Sequence, residues 1–184
     1  MAELHVLAAG YLSGDSDGRV GSTVSLAVDG PVVAVIDPGL VSSRAAILDP
    51  LASHGYGPDD VTDVIVSHHH PDHTLNAALF PAARFHDFWA VYQDDTWLDR
   101  PADGFLVSPS VRLMATPGHT AEDISTLAQT ADGLVVLTHL WWHADGPEAD
   151  PRAEDLDMLR ANRTAVLALR PATIIPGHGS PFTP

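Results

Sequence analysis

The run Ser67-His68-His69-His70-Pro71-Asp72-His73 packs four metal-capable side chains, His68, His70, Asp72 and His73, into six positions. Alternate residues of an extended chain point the same way, so His68 and His70 can grip one ion. Asp72 and His73 come after Pro71 turns the chain, and they can address a second point nearby. His69 alternates away from that face and reads as packed or solvated. The run starts where a β-branched apolar stretch, residues 61–67, stops, and a strand end is a rigid base for ligands. With no cysteine in the chain, imidazole and carboxylate are the ligands left for Zn²⁺. A chance cluster explains one stray histidine well, but four spaced ligands at a strand end poorly.

Three more histidines fall at predicted strand ends. His119 sits in Thr116-Pro117-Gly118-His119-Thr120, His139 follows an apolar run over 134–138, and His178 sits in Pro176-Gly177-His178-Gly179. Glycine beside His119 and on both sides of His178 lets the backbone come close to an ion or substrate. His5 and His54 read as ordinary surface or strand residues. His86 lacks comparable context, and His143 could line a pocket.

Composition narrows the function classes. The 184 residues fit one domain over 1–184, and 45% are hydrophobic, enough for a core. Histidines number 11, against 9 lysines and arginines combined. The formal net charge is −15, so phosphate backbones are repelled over a Debye length of about 8 Å. Nucleic acid is therefore disfavoured, and a small-molecule substrate is expected. No apolar run reaches the roughly 18 residues of a membrane span, and the first residues lack a signal-peptide pattern. A cytoplasmic location without membrane association is the expectation.

The elements that must position these residues follow from periodicity. Strands are predicted over 4–9, 22–28 and 32–36, with Asp29-Gly30 a hairpin turn between the last two. Asp37-Pro38-Gly39 breaks the third strand. A helix over 44–54 has Ser42 or Ser43 as its cap and Gly55 as its stop. After strand 61–67 and the histidine run, another helix covers Leu75, Ala78 and Leu79. Further strands are predicted over 83–86, 104–107, 111–115, 124–129 and 134–138, then a helix over 150–169 and a strand over 172–175. Sheets packed face to face with helices outside, a four-layer αββα sandwich of α/β class, satisfy this order.

The string SHHHPDH, then TPGHT, then a strand ending at His139, then PGHG, resembles the metallo-β-lactamase superfamily. The order and intervals match from Ile36-Asp37-Pro38-Gly39 onward, over nearly the whole chain. The chain is most similar to compact members: glyoxalase-II-like hydrolases and metallo-β-lactamase-domain-containing proteins. The resemblance implies a first metal on His68, His70 and His119, and a second on Asp72, His73 and His178. Asp37 then matches the loop aspartate that supports the histidine motif from behind. It further implies that a metal-bound hydroxide attacks a carbonyl or phosphorus, with Asp72 as the catalytic residue that orients it and passes a proton to the leaving group.

One position departs from the pattern. Two-metal members place a bridging aspartate where this chain has Thr138-His139-Leu140-Trp141-Trp142. A neutral imidazole has one free lone pair and binds one ion. His139 could ligate one of two ions, or leave a single strong site. One or two zinc ions are expected, with iron as the alternative.

No inserted cap of the nuclease type and no glutathione-binding helical extension are visible between the motifs. The catalytic face is then open, or covered by the partner subunit of a homodimer. Trp141 and Trp142, and the 85–92 segment with Phe88 and Trp89, are its wall candidates. The leading expectation is hydrolysis of a small ester, thioester or lactone. Phosphodiester cleavage, a mononuclear iron oxygenase acting on a sulfur substrate, and a non-catalytic binding module are the alternatives.

Overall fold

The computed structural model describes residues 1–13 and 18–184. In chain order it contains β1 (Glu3–Ala8), β2 (Tyr11–Leu12), β3 (Val20–Gly21), β4 (Val24–Asp29), β5 (Val32–Ile36), α1 (Ala45–Ser53), β6 (Asp63–Ile65), α2 (Pro71–Thr74) and β7 (Arg84–His86). Then follow β8 (Ala90–Gln93), β9 (Thr96–Asp99), β10 (Leu106–Ser108), β11 (Val111–Ala115), β12 (Ile124–Thr130), β13 (Gly133–Thr138), α3 (Leu156–Ala168) and β14 (Thr173–Pro176). A seven-stranded sheet runs β1-β4-β5-β6-β7-β8-β9, a five-stranded sheet runs β10-β11-β12-β13-β14, and β2 pairs with β3.

Period-two alternation builds the layers. In β5, Ala34 and Ile36 face one way and Val33 and Val35 the other. The first pair joins Leu113, Ile124, Leu137 and Ile175 of the second sheet in the core between the sheets. The second pair packs outward with Ile47 and Leu51 of α1. On the far side, Leu127, Val136 and Ile174 turn outward to meet Leu159 and Val166 of α3. The order is therefore helix, sheet, sheet, helix, as expected from the sequence. No helix of the described residues is long and apolar enough to cross a membrane.

Several element boundaries differ from the sequence-based expectation. The last helix starts at Leu156, not near Asp150, because Asp155 is its cap: its side chain accepts from Met158 N. Neither Ser42 nor Ser43 caps α1 with its side chain; the cap position is Arg44, and Ser43 contributes its backbone carbonyl to Ala46 N. His73 lies within the single turn of α2, and past α2 there is a 3₁₀ turn over Ala77–Leu79 in place of the expected helix. The β8–β9 hairpin was not anticipated. Its two-residue turn contains Asp94 at φ 51°, a conformation aspartate tolerates better than most residues.

Two parallel pairings gather the chemistry-bearing loops. β5 lies parallel to β6, and β13 lies parallel to β14. Their C-terminal ends release Asp37, the His68 run, His139 and His178 into one region.

Candidate metal centre

Six histidine rings, His68, His70, His73, His119, His139 and His178, form one continuous cluster. His68, His73, His119, His139 and His178 are buried, whereas His70 is exposed and marks the open side. Two overlapping groups of ligand atoms converge: His68, His119 and His139, and His73, His139 and His178. His70 joins the first through Nδ1, which lies 3.0 Å from His68 Nε2 and 3.1 Å from His119 Nε2. Asp72 stands by the second, with Oδ2 3.6 Å from both His73 Nε2 and His178 Nε2.

The outward-facing nitrogens explain how the rings are held. His178 Nδ1 lies 3.0 Å from the Gly21 carbonyl, which can only accept, so that nitrogen carries the proton. His119 Nδ1 donates to Asp150 Oδ2 at 2.8 Å, and His73 Nδ1 to Asp37 Oδ2 at 3.0 Å. Ser67 Oγ lies 3.0 Å from His68 Nδ1. Neutral rings protonated outside present bare lone pairs inside. His73 Nε2 is buried without a hydrogen-bond partner among the described residues. A tetrahedral shell with bonds of about 2.0–2.1 Å has ligand-to-ligand edges of about 3.3–3.4 Å. Ligand atoms within 4.8 Å of one another in each group, with three nitrogen pairs at 3.0–3.1 Å, suit a cation. The nitrogen and oxygen donors match Zn²⁺, and they match iron as well.

Electrostatics agree with this picture. Burial, helped by the neighbouring histidines, holds His68 and His139 well below the ordinary histidine range. Burial and the nearby His73 push His178 down to about 4. Burial also lowers His70, with His119 adding to it. His73 is the exception: burial opposes its charge, yet Asp37 outweighs burial and raises it. Burial pushes Asp123, 3.7 Å from His68 Nδ1, up to about 7.

Local backbone choices allow this assembly. Asp37 adopts φ 51° at the end of β5. In that conformation its Oδ1 accepts from Ser67 N at 2.6 Å while Oδ2 meets His73. At Gly39 an added Cβ would fall 1.6 Å from the Asp72 carbonyl oxygen, so no other residue fits there without moving the ligand loop. At Gly177 a Cβ would fall 2.5 Å from His139 Cδ2. The glycine of the PGHG segment thus makes room for the imidazole at 139.

The structure brings together every ligand candidate named from the sequence, with Asp37 behind His73. It separates the two tryptophans. Trp142 lies beside the centre, its ring 6.4 Å from that of His178, and Trp141 packs against Phe182 and the α3 cluster. At the open side Trp89 stacks on His69, ring centroids 5.2 Å apart, while Phe88 packs against the inter-sheet core. Asp150 and Asp123 were not anticipated from the sequence. Asp150 read as the start of a helix, and Asp123 had no motif around it. A cavity of about 380 Å³ at the β8–β9 edge, lined by Val91, Leu98, Arg100 and Phe105 among others, contains none of the clustered histidines.

Residues 17–148 match the family model of the metallo-beta-lactamase superfamily. This chain belongs to that superfamily. The metallo-beta-lactamase domain-containing protein 1 of Xenopus laevis is 35% identical over 190 residues, covering 97% of this chain and 80% of that protein. A Thermotoga maritima crystal structure, solved as a candidate metallo-beta-lactamase, matches with TM-score 0.79 at 21% identity, covering 100% of this chain and 99% of that one. AidC, a dizinc quorum-quenching lactonase solved with a homoserine product, matches with TM-score 0.63 at 18% identity, covering 84% and 71%. At these identities the two structures establish the shared fold.

Proposed function

We propose that this superfamily member is a metal-dependent hydrolase of a small ester, thioester or lactone. The observation that carries the reading is the convergence of imidazole nitrogens, with three of the rings, His73, His119 and His178, fixed from outside by an acceptor that leaves the inner nitrogen bare. His68, His70 and His119 would hold one cation. Asp72, His73 and His178 would hold a second, with His139 offering its nitrogen to either group. A bound divalent cation supplies Lewis acidity and acidifies water to a pKa of about 7. Zinc is the first assignment, because the donors are imidazole and carboxylate and the fold neighbour AidC is a dizinc enzyme.

The remaining work falls to the chain. Asp72 stands beside His73 and His178 and its side chain keeps 18% of its exposure, so it is placed to pass a proton towards a leaving group. Trp142 provides an apolar flank beside His178, and Trp89 a second one beside His69. An exposed His70 leaves a wide entrance, which suits a small acyl substrate. The formal charge of −15 opposes a polyanionic one.

The test is a panel of a lactone, a thioester, an aryl ester and bis(p-nitrophenyl) phosphate, run on zinc-loaded protein. Turnover of at least one of the first three is expected, and its loss in His68→Ala. No turnover with metal confirmed bound, or faster cleavage of the phosphodiester, overturns the substrate class. Metal analysis of protein purified without added metal is expected to find zinc; iron overturns that assignment.

A further inference from the structure

We infer that Asp150 is the positioning residue for His119, held in place by the strap that runs from His139 to Asp150 over α3. This role rests on the proposed binding of a cation by the histidine cluster. Asp150 is 2% exposed, and each of its oxygens is used. Oδ2 accepts from His119 Nδ1 at 2.8 Å and from Trp142 Nε1 at 2.9 Å, and Oδ1 accepts from Arg152 N at 2.8 Å. A helix-capping role is excluded, because Asp155 caps α3. Of the clustered histidines, the one that Asp150 orients is His119.

His119 lies in the loop past β11, four residues beyond Ala115. That loop is pinned from the α3 side: Glu154 N donates to the His119 carbonyl at 3.1 Å, and Asn162 Nδ2 to the Pro117 carbonyl at 2.6 Å. The strap is pinned from the same helix. Arg163 donates to three of its carbonyls, Leu140 at 2.7 Å, Pro147 at 2.8 Å and Glu148 at 2.9 Å. Backbone and ring of His119 are thus both positioned from one segment. A carboxylate on the outer nitrogen fixes the tautomer and makes the inner nitrogen a stronger donor.

The experiment is competition for cobalt(II) between protein and a chelator, with the visible spectrum of the bound ion and the melting temperature of the ion-free protein recorded alongside. Asp150→Ala is expected to weaken cobalt binding by about 10–100-fold and to alter the spectrum. Asp150→Asn keeps a carbonyl acceptor, so it should recover part of that loss, and Trp142→Phe should lose less than Asp150→Ala. Asp157→Asn, on the exposed face of α3, should bind like the parent. If Asp150→Ala does not fold, the Asn and Phe variants carry the comparison. A parent protein that fails to bind cobalt stoichiometrically overturns the metal reading itself. A parent that binds, with Asp150 variants that melt lower yet bind within two-fold, overturns the positioning role and leaves Asp150 a purely structural residue.

Discussion

The His68 run of the first sheet and the ring at 139 of the second are held on different terms, whereas His119 and His178 of the second sheet do have outer acceptors. The first sheet supplies the His68 run with a built support: Asp37 takes both Ser67 N and His73 Nδ1, and Ser67 Oγ meets His68 Nδ1. The second supplies His139 with none, since its Nδ1 is buried without a partner among the described residues. What holds the ring at 139 is shape, through the space left by Gly177. The first group is preorganised by hydrogen bonds before any ion arrives. The ring at 139 is fixed in position, but its proton is not.

The largest effect should come from breaking the supported side. Asp37→Ala removes an acceptor from two buried donors, a loss of about 1–3 kcal/mol each at most. Cation affinity should fall by about 10–100-fold as His73 loses its orientation. Chelator competition and thermal melts measure both, and unchanged affinity would erase the difference between the two sides. A smaller effect of opposite sign should come from His139→Asp. A carboxylate offers two oxygens where imidazole offers one lone pair, so a second ion should bind about 10-fold more tightly, read by calorimetric titration. If the second ion binds no better, the ring at 139 is not what limits the site.

The mildest probe is pH. His68, His70, His139 and His178 are lowered by burial, His178 to about 4. Below the unfolded value of about 6.5 the unfolded chain therefore binds more protons than the folded one, and stability drops as pH falls. His73, raised by Asp37, acts in the opposite sense: its contribution is full below about 6.5 and is lost as pH rises through its folded value. Asp123, pushed up to about 7 by burial, takes up its proton in the folded state as pH falls and so acts with His73. With four clustered histidines against these two groups, melting of ion-free protein should move lower between about pH 7 and pH 5. A flat or rising profile would mean that His73 and Asp123 dominate the whole cluster.

The contrast between the sheets also tracks what the sequence disclosed. The clustered histidines were legible because metal chemistry demands particular residue types at strand ends, and short motifs preserve that spacing. His139 was legible even as an exception, because the strand before it is strongly apolar. Asp150 was not, since an aspartate before Pro151 looks like a helix start, while the competing cap at Asp155 lies only five residues on. Its partner His119 is 31 positions away, a separation no local pattern encodes. The β8–β9 hairpin escaped for a similar reason: its aromatic residues read as a cleft wall, and its turn, containing Asp94, has no glycine.

The bond between His178 and the Gly21 carbonyl spans 157 positions of sequence, and Thr23 hydroxyl and Gly179 meet across 156. Contacts of such separation close the largest loops the chain can make and belong to the slow part of folding. His178 therefore reaches its place only when the segment after β14 has docked against β3. A chain in which that docking is lost would present fewer than the full set of clustered histidines.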